Sequence, residues 1–92
     1  MTVLGERRVA DFSRKYAHSR KPLSFIDIVR AAKWRYTADV KETLSTTDYD
    51  RDSETYIFDI GGNKYRLRAA IDFEEQMFSV ESVMTHEQYD RR

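Results

Sequence analysis

The chain contains no cysteine. That excludes a disulfide framework and any thiolate metal site, and it fits a reducing compartment. Proline occurs once, and no internal repeat or low-complexity tract interrupts the chain. No apolar run approaches the roughly 20 residues needed to cross a bilayer. The opening Met-Thr-Val-Leu-Gly-Glu-Arg-Arg lacks the apolar stretch of a secretory signal, so the expected location is the cytoplasm, away from any membrane. Net charge is also missing: 16 Lys and Arg balance 16 Asp and Glu. A strongly basic domain is the usual electrostatic footprint of a nucleic-acid binder, and overall charge does not supply one here.

What is present is enough for one small domain spanning all 92 residues. Forty per cent of the residues are apolar, and one Trp, six Tyr and five Phe provide a modest core. The zero net charge hides an asymmetry. From Met1 to Thr43 there are ten Lys/Arg against five Asp/Glu; from Leu44 to Arg92 there are six against eleven. A polyanion would favour the first half, although charged helices commonly do no more than solvate their outer faces.

Thr2-Val3-Leu4 is a possible short strand, and Gly5 can cap a helix from Glu6 to about Tyr16 with Val9, Phe12 and Tyr16 on one stripe. Pro22 suits the first turn of a second helix, where its missing N–H costs nothing. That helix is apolar on a wide face through Leu23, Phe25, Ile26, Ile28 and Val29, and Lys33-Trp34-Arg35 closes it. Trp34 reads as a core anchor. Thr37 can open a short helical turn through Lys41, and the polar, acidic stretch from Leu44 to Glu54 reads as a loop.

The second half reads as β. Gly61-Gly62 is a two-residue turn of the kind that needs positive φ. The strand after it alternates: Tyr65, Leu67, Ala69, Ile71 and Phe73 face the core, while Lys64, Arg66, Arg68, Ala70 and Asp72 take the other face. A third strand from Met77 to Met84 would place Phe78, Val80 and Met84 inward, with Ser79 and Glu81 outward. The expected class is α+β, with the N-terminal helices on one face of a small antiparallel β-meander and the face bearing Arg66 and Arg68 left open.

That face has the parts for cutting RNA without a metal. Such a reaction needs a base for the ribose 2′-OH, cations for the charge that builds on the phosphate, and an acid for the departing 5′ oxygen. Lys64, Arg66 and Arg68 can supply cations, and arginine's planar fork suits phosphate. His86 is a candidate acid, Glu81 a candidate base, and Tyr89 could stack on a base. Each has a plainer alternative. Arg68 and Glu81 on facing strands would ordinarily form a cross-strand ion pair, a His after a strand is often a surface or cap residue, and Tyr89 could simply pack on the sheet. Two widely separated histidines without cysteine support neither a metal site nor a cofactor.

Ile57-Phe58-Asp59-Ile60-Gly61-Gly62-Asn63-Lys64-Tyr65-Arg66-Leu67, followed by Thr85-His86-Glu87-Gln88-Tyr89-Asp90, resembles the HigB toxins. Ala32-Lys33-Trp34 and Ala38-Asp39-Val40-Lys41 extend the likeness over most of the chain. HigB toxins are a branch of the RelE-like mRNA interferases of type II toxin–antitoxin systems. The resemblance implies a compact RelE-like fold and metal-independent mRNA cleavage on the ribosome that halts translation. It also implies neutralisation by a HigA-type helix-turn-helix antitoxin. It assigns family roles to Asn63, Lys64, Arg66, His86 and Tyr89. On the residues themselves, Arg68 is a further candidate RNA contact beside Asn63 and Tyr89. Two departures stand out: Glu81 occupies a position where a basic residue is usual, and the net charge is neutral. Both leave room for a toxin-like module that binds antitoxin or RNA without cleaving, and a ParE-like gyrase poison would share the fold.

Overall fold

In the computed structural model, residues 1–17, 20–62 and 64–87 are described. The element order is β1 (Thr2–Leu4), α1 (Glu6–Phe12), a π-helical turn (Ser13–Ala17), α2 (Lys21–Ala31), α3 (Thr37–Thr43), β2 (Asp48–Asp50), β3 (Thr55–Ile60), β4 (Tyr65–Asp72) and β5 (Met77–Thr85). The strands form one sheet in the order β1-β5-β4-β3-β2, so β4 lies at its centre.

β3, β4 and β5 are the expected antiparallel meander. Two strands extend it. β1 adds in parallel beside β5, which makes the sheet mixed rather than purely antiparallel. β2 adds to the opposite edge, antiparallel to β3, within the stretch read as a loop. Its Asp-Tyr-Asp sequence has little strand character of its own. The strand is held by its backbone ladder, by the Tyr49 ring 4.8 Å from that of Tyr56, and by a carboxylate contact to Arg68 described below.

The helices cover one sheet face. Val9 of α1 and Phe25, Ile26 and Val29 of α2 are buried against Phe58, Leu67, Ala69, Phe78 and Val80. The Phe58 ring sits 5.2 Å from Phe25 and 5.5 Å from Phe78, joining helix to two strands. Trp34 follows α2 rather than ending it, yet it is a core residue, 3 % exposed. Its indole N–H donates to Thr43 Oγ1 at 3.0 Å, and its carbonyl accepts from Gln76 Nε2 at 2.7 Å, tying α3 and the β4–β5 turn to the core. Asp39 Oδ2 accepts the backbone N–H of Arg35 at 2.8 Å and of Tyr36 at 3.2 Å, satisfying the two donors just before α3. α1 is shorter than its apolar stripe suggests, because the π-helical turn replaces its last α-helical residues.

Between Arg68 and Ala69 the β4–β5 register slips: Arg68 faces Ser82, and Ala69 faces Val80. Glu81 is the extra residue of this β-bulge. Beyond it the inward positions shift by one, so Val83 opposes core Leu67 and Met84 opposes Arg66. Strict alternation had assigned Met84 inward; the bulge moves it to the face of Arg66.

Candidate active site

The site is built on the β3–β4 hairpin. Ile60 and Tyr65 are the last paired residues, so the connection is four residues long, not two. Gly61 and Gly62 both have positive φ, 66° and 64°, as read from the sequence. The longer turn moves each cross-strand partner by two residues without changing which face it is on. A turn of Gly61-Gly62 alone would set Asp59 against Lys64, whereas the observed register sets Asp59 against Arg66.

That pairing determines the electrostatics. Arg66 Nε lies 3.0 Å from Asp59 Oδ1, with the two side chains 14 % and 21 % exposed. Arg66 Nη1 also makes a long contact, 3.4 Å, to the Tyr65 carbonyl. Arg68 is held still more firmly. Its Nη1 donates to Asp50 Oδ2 at 2.9 Å, Ser53 Oγ at 2.8 Å and Thr55 Oγ1 at 2.7 Å. The guanidinium thereby stitches β2 and the turn after it to the centre of the sheet. Hydrogen bonding from Arg68, then from Ser53, holds the Asp50 carboxyl below its usual value. The face opposite the helices is therefore not an open cationic surface. Arg66 is drawn onto a carboxylate from the adjacent strand β3 and Arg68 onto one from β2, two strands away, and both side chains are largely covered.

Lys64 is exposed. Its carbonyl accepts the backbone N–H of His86 at 2.8 Å, which extends the β4–β5 ladder one step past the strand end. His86 is half-buried in the helical turn that follows β5. The backbone thus gathers Lys64, Arg66 and His86 at one corner of the sheet, next to the Arg66–Met84 pair. Glu81 stands apart. It is exposed on the bulge, five residues before His86, a rise of about 16 Å along an extended strand. It pairs with neither arginine among the described residues. Arg68 does form an ion pair, but its partner is Asp50 from a strand not foreseen, not Glu81. Asn63 and Tyr89 lie outside the described residues.

Sequence reasoning missed Asp59 and Asp50. Asp59 was recoverable: folding the chain about a four-residue turn sets it opposite Arg66. Asp50 was not, because nothing in an acidic stretch announces a strand.

Among the described residues, three α-helices and a mixed five-stranded sheet define an α+β protein consistent with the RelE-like fold. A family model described as HigB_toxin, RelE-like toxic component of a toxin-antitoxin system, matches residues 19–92. The chain belongs to that family. It is 25 % identical over 92 residues to the mRNA interferase toxin HigB of Escherichia coli (strain K12), covering 98 % of this chain and 88 % of the relative. The mRNA interferase HigB proteins of Escherichia coli O157:H7 and Shigella flexneri match with the same identity and coverage.

Proposed function

We propose that the protein is an mRNA endoribonuclease that acts on translating ribosomes and is held in check by a helix-turn-helix antitoxin of the HigA type. Membership of a toxin family over residues 19–92 carries this reading, and the names of its relatives point the same way. The chemistry follows from the corner of the sheet. Lys64 and Arg66 bind the scissile phosphate and steady the charge that builds on its oxygens. The ribose 2′-OH gives up its proton and its oxygen attacks phosphorus. His86, as the imidazolium, protonates the 5′ oxygen as that bond breaks, leaving a 2′,3′-cyclic phosphate and a 5′-hydroxyl. The 2′-OH proton passes to water, because Glu81, offered for that role by the sequence, stands about 16 Å along the strand from His86; Asn63 and Tyr89 are offered as further RNA contacts. Arg68, committed to three acceptors, serves the sheet more than the RNA.

Expression should arrest growth, and Arg66→Ala or His86→Ala should relieve the arrest while the protein stays folded. Arrest untouched by both substitutions would refute the assigned roles. One observation favours a second reading. With Asp59 on Arg66 and Asp50 on Arg68, the site is close to neutral, as expected of a toxin-like module that binds without cutting. Tight antitoxin binding with no cleavage of ribosome-bound mRNA would select it.

A further inference from the structure

We infer that Asp59 is a positioning residue for RNA cleavage: it holds the Arg66 guanidinium in place through Nε before RNA arrives. The inference rests on the reading of Arg66 as the phosphate-binding cation.

Four observations carry it. Asp59 and Arg66 are direct cross-strand partners, so the backbone ladder itself sets their separation. The contact, 3.0 Å, is made at Nε. A phosphate can accept hydrogen bonds from Nη1 and Nη2 while the Nε contact to Asp59 is kept, with Nη1 giving up its long contact, 3.4 Å, to the Tyr65 carbonyl. Both side chains are largely covered, 14 % and 21 % exposed, so the pair is better shielded from salt than a surface pair. Finally, the two residues lie one pair back from the Ile60–Tyr65 pair that closes the glycine hairpin presenting Lys64.

Arginine carries several freely rotating bonds, and ordering them during the reaction would slow it. A carboxylate on the neighbouring strand orders them in advance, which is the preorganisation that charge stabilisation requires. The same carboxylate also repels the incoming phosphate, so Asp59 weakens ground-state attraction while it sharpens geometry. These opposed effects make the roles separable. Asparagine keeps an oxygen for Nε and loses the charge; alanine loses both.

The test is cleavage of mRNA on translating ribosomes by wild type, Asp59→Asn, Asp59→Ala and Arg66→Ala. Two-dimensional NMR of the arginine Nε–H groups accompanies it. Asp59→Asn should keep kcat within about threefold and lower KM, because repulsion is gone and geometry is kept. Asp59→Ala should lower kcat at least about tenfold, as expected when one ordered contact is lost. In the NMR spectrum, Arg66 Nε–H should be resolved and slow to exchange in wild type and Asp59→Asn, and should merge with the freely exchanging arginines in Asp59→Ala. Three results would overturn the inference. A higher kcat in Asp59→Ala would mean that Asp59 competes with RNA. Collapse of kcat in Asp59→Asn would make the carboxylate a general base, since asparagine cannot take a proton. An Arg66 Nε–H equally protected in Asp59→Ala would mean that something else holds it. Arg66→Ala cleaving like wild type would refute the reading of the site itself, a result distinguishable from an Asp59 variant failing beside an Arg66 variant that behaves as expected.

Discussion

Gly5→Ala measures how closely β1 and the start of α1 approach β5. Gly5 has φ 82° and ψ 17°, the left-handed region, which costs an L-residue about 1–2 kcal/mol. A Cβ there would also lie 2.8 Å from the Val80 carbonyl oxygen and 3.3 Å from Val80 Cβ. The first of these is a backbone atom in the middle of the sheet, one residue before the bulge, and it has no flexible end to swing aside. Overpacking of this kind costs about 1–3 kcal/mol. The total is roughly 2–5 kcal/mol, and a domain of this size loses about 4–8 °C of Tm per kcal/mol. Gly62→Ala is the matched control. Gly62 has a similar left-handed φ of 64°, but a Cβ there would meet nothing within 4 Å. It should lose only the backbone part, about 1–2 kcal/mol. Thermal melts of the two variants beside wild type isolate the steric part as their difference. If Gly5→Ala melts no lower than Gly62→Ala, β1 and α1 do not approach β5 as described, and the sheet loses its parallel edge.

Other perturbations test other parts of the account. Arg68→Met removes both the charge and the Nη1 group that meets Asp50, Ser53 and Thr55, so Tm should fall while the salt dependence of RNA binding stays unchanged; a shallower salt slope would restore Arg68 as an RNA contact. The Asp50 carboxyl is held low chiefly by Arg68, so its stabilisation is present above the unfolded value near 3.8 and is lost as pH falls through the lower folded value. Melts between roughly pH 2 and 5 should therefore show wild type falling more steeply with acid than Asp50→Asn, and parallel curves would contradict the ion pair. Trp34, 3 % exposed, should emit at short wavelength and resist iodide quenching with or without RNA; quenching by RNA would make it a stacking residue instead.

The hairpin and the central strand were legible because their signals are local. Two glycines mark a turn that needs positive φ, and alternation alone puts Leu67 and Ala69 in the core and Arg66 and Arg68 opposite. Pro22 marks the first turn of α2 for an equally local reason. What was hidden depends on partners remote in the chain. β2 exists because β3 and Arg68 reach it, and its own Asp-Tyr-Asp signals a loop. The bulge at Glu81 has no residue signature, yet it exchanges Val83 for Met84 on the core face. The partner of Arg66 turned on whether the connection holds two residues or four, a difference that period-two patterning cannot detect. Trp34 shows the converse: its burial was plain from residue type, while its place after the helix depended on Gln76 and Thr43.

The most direct measurement is primer extension on mRNA from a translation reaction, comparing purified wild type with Arg66→Ala of equal Tm. The account predicts discrete cleavages within the translated frame for wild type, reduced by at least about a hundredfold in Arg66→Ala, the loss that follows removal of one transition-state donor. Intact mRNA with wild-type protein, or an identical cleavage pattern at equal rate from Arg66→Ala, would contradict it.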